Sequence, residues 1–304
     1  MKILIIGAGV LGSNLAHSLK KGNDITILAR NKTYETLKKN GLVIKHKFGK
    51  KTVDNFKVIE RLEENDIYDC IFVVSGFSSL DSIVPIIEKN KSENIIFVGN
   101  NITAEKYMNI ENKKVLFAFF MAAGKKSDGC INSICLNKIE IGRTDGKNLS
   151  DGFIKEIFKD TKIKVNIDNK MNDYLKSHAC AVLPLVFASY KVGGNLKLLK
   201  RDKEYSLKIM DAIIEGYNVL KALGYEILPE GEYDDCVNKK KLCAFIYRFM
   251  FSNFIGKICI SDHAMSAREE FLLLDREFEK LKKESKIKTP TYDELRLSFL
   301  NYKD

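Results

Sequence analysis

The sequence predicts an α/β amino-terminal domain built on a doubly wound sheet, followed by an all-helical carboxyl-terminal domain. Three observations carry that expectation. An isoleucine-rich run, Lys2-Ile3-Leu4-Ile5-Ile6, stands directly before a glycine-rich turn and a segment of helical period (Val10, Leu11, Leu15, Leu19). Strand-like and helical segments then alternate as far as about Asp168. From there to the end, long helical periods replace the strands. The expected division is 1–168 and 169–304, each part long enough to enclose its own core.

The turn reads Gly7-Ala8-Gly9-Val10-Leu11-Gly12-Ser13. Strand, Gly-x-Gly-x-x-Gly and helix in that order form the Rossmann-type signature. Gly7 permits the tight turn, Gly9 lets the backbone approach a pyrophosphate, and Gly12 lets the helix pack close to the strand. The unpaired N–H groups and positive dipole end of the helix favour a diphosphate. The loop from Gly7 to Gly12, with Ala8, Val10 and Leu11 between the glycines, is therefore the expected cofactor cradle.

Composition limits the alternatives. Hydrophobic residues make up 45% of the 304 residues, and no apolar run reaches the ~20 residues of a membrane span. The amino-terminal apolar run is a strand entering the glycine loop rather than the core of an export signal, so a cytoplasmic location is expected. Seven cysteines are scattered without a Cys-x-x-Cys pair, and four histidines show no metal-ligand spacing. Reduced thiols and no metal follow. The net charge is +10, but lysines alternate with Glu and Asp throughout. A general attraction for phosphate-bearing cofactors and carboxylate substrates fits better than a nucleic-acid groove. Neither a membrane nor a nucleic acid is an expected partner, and a homodimer is compatible with the chain.

Asp24 to Ala29 reads as the second strand and runs into Arg30-Asn31-Lys32-Thr33. An acidic residue here would accept from the ribose 2′-OH of NAD, whereas a cation accommodates the 2′-phosphate of NADP. No carboxylate occurs before Glu35, so Arg30 and Lys32 predict NADP. Leu42 to Glu60 alternates around Phe48-Gly49-Lys50-Lys51, as an edge hairpin or meander does. Tyr68 to Val74 is a buried strand before Ser75-Gly76-Phe77-Ser78-Ser79, a helix carries Leu80, Ile83, Val84 and Ile87, and Asn94 to Val98 ends at Gly99-Asn100-Asn101. Ligands of open α/β sheets lie outside the carboxyl ends of strands, which puts Ser75 to Ser79 and Asn100 where substrate or nicotinamide would lie. Strand-like runs follow at Val115 to Phe120, Ile131 to Leu136 and Lys138 to Gly142, then a helix from about Asn148 to Phe158 and a strand from Lys162 to Ile167. Helices are expected at Asn172–Tyr190, Glu204–Leu223, Asp234–Asn253, His263–Lys283 and Tyr292–Leu300, with a cleft between the two domains. Gly193-Gly194 and Gly224 mark helix ends.

Reduction of a ketone by NADPH needs a proton for the developing alkoxide and a group to stabilise its charge. Lys176 is the one lysine between Leu175 and Tyr190, and on a helix it shares a face with Cys180 and Pro184. Pro184 cannot bond the Cys180 carbonyl, which favours a kink there. By periodicity alone Lys176 is either a catalytic ammonium or a helix-end lysine reaching water. Glu270 falls beside the stripe Ala267, Phe271, Leu274, Phe278 and Leu281, with His263 and Ser266 on its side at i−7 and i−4. It is either paired structurally or turned to a cleft. Cys180, His263 and Ser266 are the further candidates for substrate contact.

Taken together these residues resemble the ketopantoate reductase (2-dehydropantoate 2-reductase) family. The matching pieces are Met1 to Gly12, Arg30, Asn100, Ala122-Ala123 with Asp128-Gly129, Ile139 to Gly142, Tyr174-Leu175-Lys176, and Glu270 through Ile287-Lys288-Thr289-Pro290. The resemblance implies a Rossmann domain joined to a helical domain, NADPH-dependent reduction of a 2-oxo acid, and a place in pantothenate biosynthesis. It implies that Lys176 is the catalytic lysine, that Glu270 contacts the substrate hydroxyl, and that Asn100 helps to hold nicotinamide and substrate. The family usually has asparagines one and two turns after the lysine, where this chain has Cys180 and Pro184, and often a lysine where it has Ser75-Gly76. Losing such donors changes what fits, so the chain reads as a divergent branch. The alternatives are another Rossmann-plus-helical dehydrogenase, acting on a hydroxy acid, amino acid or opine-like compound, and a non-catalytic NADP-binding sensor.

Overall fold

The structure, a computed structural model, describes residues 1–147, 149 and 151–303. It divides into two compact units: Met1–Asn100 with Ala104–Asn172, and Asn101–Thr103 with Asp173–Asp304.

In the first unit, strand β1 (Lys2–Ile6) leads into helix α1 (Val10–Leu19), β2 (Asp24–Leu28) and α2 (Asn31–Asn40). Then come β3 (Leu42–His46), β4 (Lys51–Asp54), β5 (Lys57–Ile59), β6 (Cys70–Val73), α3 (Leu80–Lys89) and β7 (Asn94–Val98). The unit closes with β8 (Lys114–Ser127), β9 (Cys130–Gly142), α4 (Gly152–Phe158) and β10 (Lys164–Ile167). The expected start of the helix before Phe158, Asn148, lies outside the described residues. Helix α2 is absent from the expected elements. Its ten residues bury only Leu37, so no apolar stripe betrays it.

All strands join one sheet, ordered β4-β3-β9-β8-β7-β6-β1-β2-β5, with β10 on β9. The run from β8 to β5 is parallel, as a Rossmann core requires, but β8 and β9 form a long antiparallel ribbon and the sheet is therefore mixed. The ribbon turns on Asp128 and Gly129, both at positive φ (50° and 72°), the geometry of a two-residue hairpin turn. The two expected strands 131–136 and 138–142 are one strand. Asn137 sits at φ 50° where the register against β8 slips between Phe120 and Ala122, so a bulge interrupts the sequence alternation without ending the strand.

The Leu42–Glu60 segment does form an edge hairpin, β3 with β4, but β5 leaves it to pair with β2 at the opposite end of the sheet. Only Asn55 and Phe56 separate β4 from β5, a reach of roughly 10 Å, so the sheet must curl until its two edges are neighbours. Helix α1 fills the curl. It packs on β1, β2, β3, β8 and β9, and Leu15, Ala16 and Leu19 join the isoleucines of β1 and β2 in the core. On its polar side His17 and Lys20 bind Asp54 at the end of β4, pinning the edge strand to the helix.

The second unit is helical throughout. Helix α5 (Met171–Lys191) runs unbroken through Pro184. It is followed by α6 (Lys203–Ala222), α7 (Glu232–Asn238), α8 (Lys240–Ser252), the single turn α9 (Phe254–Gly256), a π turn at Lys257–Ser261, α10 (Asp262–Ser266), α11 (Arg268–Ser285) and α12 (Pro290–Leu300). Two expected helices are broken. The first stops at Lys239 (φ −116°, ψ 27°), and the second at Ala267 (φ −128°, ψ 37°), so His263 and Ser266 are not on the helix of Glu270. The core gathers Phe187, Tyr292 and Phe299 with Phe278. Within it Asp275, 1% exposed, accepts from Arg296 Nε at 2.8 Å and 2.9 Å and from the Tyr292 hydroxyl at 3.1 Å.

Candidate functional site

The glycine loop follows β1 at the carboxyl edge of the parallel strands. Gly7 has φ 109°, and a Cβ on it would lie 2.2 Å from the Val74 carbonyl oxygen, so residue 7 needs glycine both for conformation and for space. A Cβ at Gly12 would lie 2.0 Å from the Gly7 oxygen, which makes that glycine a packing requirement between helix and loop. Gly9 is different. Its backbone is extended (φ −79°, ψ −165°) and a Cβ there would meet nothing within 4 Å. Neither strain nor packing asks for glycine at residue 9, and the open space above it suits a bound group that must come close to the backbone. Helix α1 begins there with no side-chain cap and no acid in its first turn, so its first N–H groups and positive dipole end suit a diphosphate. The residues present fit a dinucleotide pyrophosphate.

The neighbouring strand ends place the other expected cofactor residues. The Gly7 N–H donates to the Leu28 carbonyl (3.2 Å), which aligns the loop with the end of β2. Arg30, exposed, caps the amino end of α2, and Lys32 is exposed on its first turn. A third cation comes from the ribbon. Lys126 donates from Nζ to Thr33 Oγ1 (2.9 Å), and burial lowers its pKa. Sequence reasoning missed Lys126, because nothing local links a ribbon lysine to the end of β2. Gly99, whose ideal Cβ position is 3.8 Å from Leu11 Cδ1, brings the half-buried Asn100 beside the first turn of α1. Ser75 and Ser79 pair hydroxyl to hydroxyl at 2.8 Å.

In the second unit Lys176 is 0% exposed, so it does not reach water as a helix-end lysine would. Its Nζ lies 5.0 Å from the centre of the Tyr225 ring. The loop after α6 positions that ring. Gly224 at φ 84° ends the helix, Asp173 accepts from the Glu226 N–H (3.0 Å), and Ser177 Oγ accepts from the Leu228 N–H (3.1 Å). Tyr225 comes from another helix end and carries no sequence signal of this role.

Cys180, expected at the substrate, is instead a core residue. It is fully buried and packs against Gly216 of α6, whose missing side chain makes room for it. Burial raises its thiol pKa despite the charge of Lys176, so it is not a reactive thiolate. Ser266 is exposed, and its hydroxyl donates to the His263 carbonyl (3.2 Å).

His263 and Glu270 do meet, across the break at Ala267. Burial lowers the pKa of His263 while the Glu270 carboxylate acts to raise it, and the imidazole stands edge-on to Phe271 at 5.0 Å. His178 of α5, not among the expected site residues, joins them. Burial, reinforced by His263, pushes it down to about 4. It lies about 200° around the helix from Lys176, and so falls outside any group gathered on the lysine's face. Among the described residues no cluster of His, Cys, Asp or Glu is arranged to hold a metal ion.

Strand order and loop geometry define the class, a Rossmann-type dinucleotide-binding fold carrying a helical second unit. Residues 3–146, a little under half of the chain, match the family model for ketopantoate reductase PanE/ApbA. Over 85 residues it is 36% identical to YkpB, an uncharacterized oxidoreductase of Bacillus subtilis; the match takes in 28% of this chain and only 27% of that protein. Among solved structures, a ternary complex of D-mandelate dehydrogenase with NADH and anilino(oxo)acetate has TM-score 0.78 at 15% identity, covering 99% of this chain and 97% of that one. The 2-dehydropantoate 2-reductase of Methylococcus capsulatus has TM-score 0.70 at 17% identity over 97% and 94%. A dimeric ketopantoate reductase of Staphylococcus aureus has TM-score 0.70 at 14% identity over the whole of both chains. At these identities the structural likeness shows the fold. Among the described residues no single helix is long and apolar enough to cross a membrane.

Proposed function

We propose that the chain is an NADPH-dependent reductase that converts a 2-oxo acid, ketopantoate or a related keto acid, to the 2-hydroxy acid. The observation that carries this reading is the fully buried lysine Lys176 in a chain whose glycine loop fits a pyrophosphate. Lysines are almost never fully buried unless paired, and the Tyr225 ring stands 5.0 Å from this Nζ. The pyrophosphate is held by the loop Gly7 to Gly12, and the 2′-phosphate by Arg30 and Lys32 with Lys126. The bound nicotinamide supplies the hydride. Lys176 polarises the ketone and gives its proton to the alkoxide oxygen, Asn100 orients the amide and acid groups, and Glu270 accepts from a substrate hydroxyl. Cytoplasmic location and a role in pantothenate supply follow from the same reading.

A second reading has its own observation. The fold likeness to D-mandelate dehydrogenase supports oxidation of a 2-hydroxy acid at the same site. Initial rates in both directions, with NADPH and a panel of 2-oxo acids and with NADP and the matching 2-hydroxy acids, test the two. The proposal expects reduction to dominate near neutral pH, with the 2-hydroxy acid as product. Tight NADPH binding without turnover of any acid would leave a sensor instead.

A further inference from the structure

The tip of the β3–β4 hairpin sets an open aromatic ring among lysines. Phe48 is 76% exposed, more than any other large apolar side chain among the described residues. Lys45, Lys47, Lys50 and Lys51 stand around it, all exposed. No acid occurs between Glu35 and Asp54. Asp54 itself is buried, its carboxylate held by His17 and Lys20, so it does not offset the charge at the tip. The register places Lys45 directly opposite Lys51, and like charges in that position destabilise a hairpin. Folding therefore gives no reason for the pair, whereas an anion meeting both lysines would. Val53, 53% exposed, lies two residues along β4 on the face that carries them.

We propose that this tip docks the chain reversibly on an anionic lipid surface, with Phe48 entering the headgroup layer and the four lysines meeting lipid phosphates. Charge is the first argument. A lysine held against an anionic leaflet strengthens binding roughly fivefold, and four of them together roughly 500-fold. Added to one inserted ring, that is enough for reversible attachment and far short of a membrane span. The balance of charge over the whole chain hides the tip, because the acids that alternate with lysines elsewhere are missing here.

Shape selects the lipid over other polyanions. A single-stranded nucleic acid is held in a basic groove whose aromatic rings stack on successive bases. A hairpin tip is convex and offers one ring, which suits a flat layer that yields to it, with the lysine stems lying along the apolar boundary and their ammonium groups in the headgroups. Position is the third argument. The His46 ring stands 4.9 Å from that of His17, in the last turn of α1. The tip is thus beside the end of α1 remote from the glycine loop, about 10 Å along the helix from Val10, and docking there leaves the cofactor end open.

Flotation of the full chain with mixed phosphatidylglycerol–phosphatidylcholine vesicles, and with pure phosphatidylcholine vesicles, tests the proposal. The wild type is expected to float with the first and not the second, and to be released as salt rises and screens the charges. Phe48→Ser is expected to weaken vesicle binding at least ~5-fold, and Lys50→Glu with Lys51→Glu at least ~100-fold, with wild-type circular dichroism and NADPH affinity in each. Lys283→Glu with Lys288→Glu, at exposed positions of the second unit, makes the same change in net charge and is expected to bind vesicles as the wild type does. The chain has no tryptophan, so Phe48→Trp puts a single reporter at the tip while keeping an aromatic ring. Its emission is expected to shift to the blue with the anionic vesicles, a readout that stands should the lysine variant fail to fold. A wild type that does not float, flotation that survives both tip variants, an equal loss in the control pair, or an unmoved tryptophan emission overturns the proposal. So does a single-stranded oligonucleotide that binds through Phe48 and displaces the vesicles, which would make the occupant a nucleic acid.

Discussion

Gly12 stands so close to Gly7 that a Cβ on residue 12 would fall 2.0 Å from the Gly7 carbonyl oxygen, whereas one on Gly9, between them in the chain, would touch nothing. The three glycines of one motif thus do different work. Gly12→Ala must displace α1 from the loop, and a loss of several kcal/mol is expected, as for other overpacked core positions. Gly9→Val is expected to leave Tm within a few degrees while weakening NADPH binding at least ~10-fold, because the added side chain occupies space that the pyrophosphate would take. Thermal melts paired with NADPH titrations separate the two effects.

The cations around the end of β2 give a second prediction. Removing Arg30 or Lys126 by substitution with alanine is expected to weaken NADPH binding by roughly 10-fold each, about 1.4 kcal/mol for one charge-assisted contact, and to leave NADH binding nearly unchanged. Equal losses for both cofactors would show that these side chains do not meet the 2′-phosphate.

Asp275 and Arg296 form a buried pair, and burial raises the pKa of Asp275 while Arg296 and Tyr292 act to lower it. Arg296→Met leaves the carboxylate without its cation, at an expected cost of about 3–5 kcal/mol near pH 7. A group whose folded pKa is raised contributes stability at low pH and loses it as pH rises. The Arg296→Met deficit should therefore shrink as pH falls towards 4, which denaturant unfolding at several pH values measures.

His178 acts in the opposite direction. Its folded pKa of about 4 lies below the ordinary value of 6.5, so the unfolded chain takes up the proton first. Its contribution is complete above about pH 6.5 and is lost as pH falls from there to 4, by up to roughly 3 kcal/mol. His178→Gln is expected to flatten stability across that window.

Local signals in the sequence gave away the elements that local physics controls. Strand β1, the glycine loop and α1 were legible because their residues specify them without help from distant segments. The pieces set by tertiary structure were not. Helix α2 hides because it buries a single leucine, and Asn137 breaks a pattern without breaking its strand. The stop at Ala267 separates His263 and Ser266 from the helix of Glu270 although no proline or glycine marks it. In the same way Lys176 was visible as a lone lysine, but the Tyr225 ring beneath it comes from the end of another helix and was not.

The most direct test of the central claim is turnover of NADPH with a 2-oxo acid by the Lys176→Ala variant, with cofactor binding measured on the same sample. A buried ammonium that donates the proton predicts a fall in kcat of at least ~100-fold with NADPH affinity preserved. Turnover at the wild-type rate, with the variant folded and NADPH bound, would contradict it.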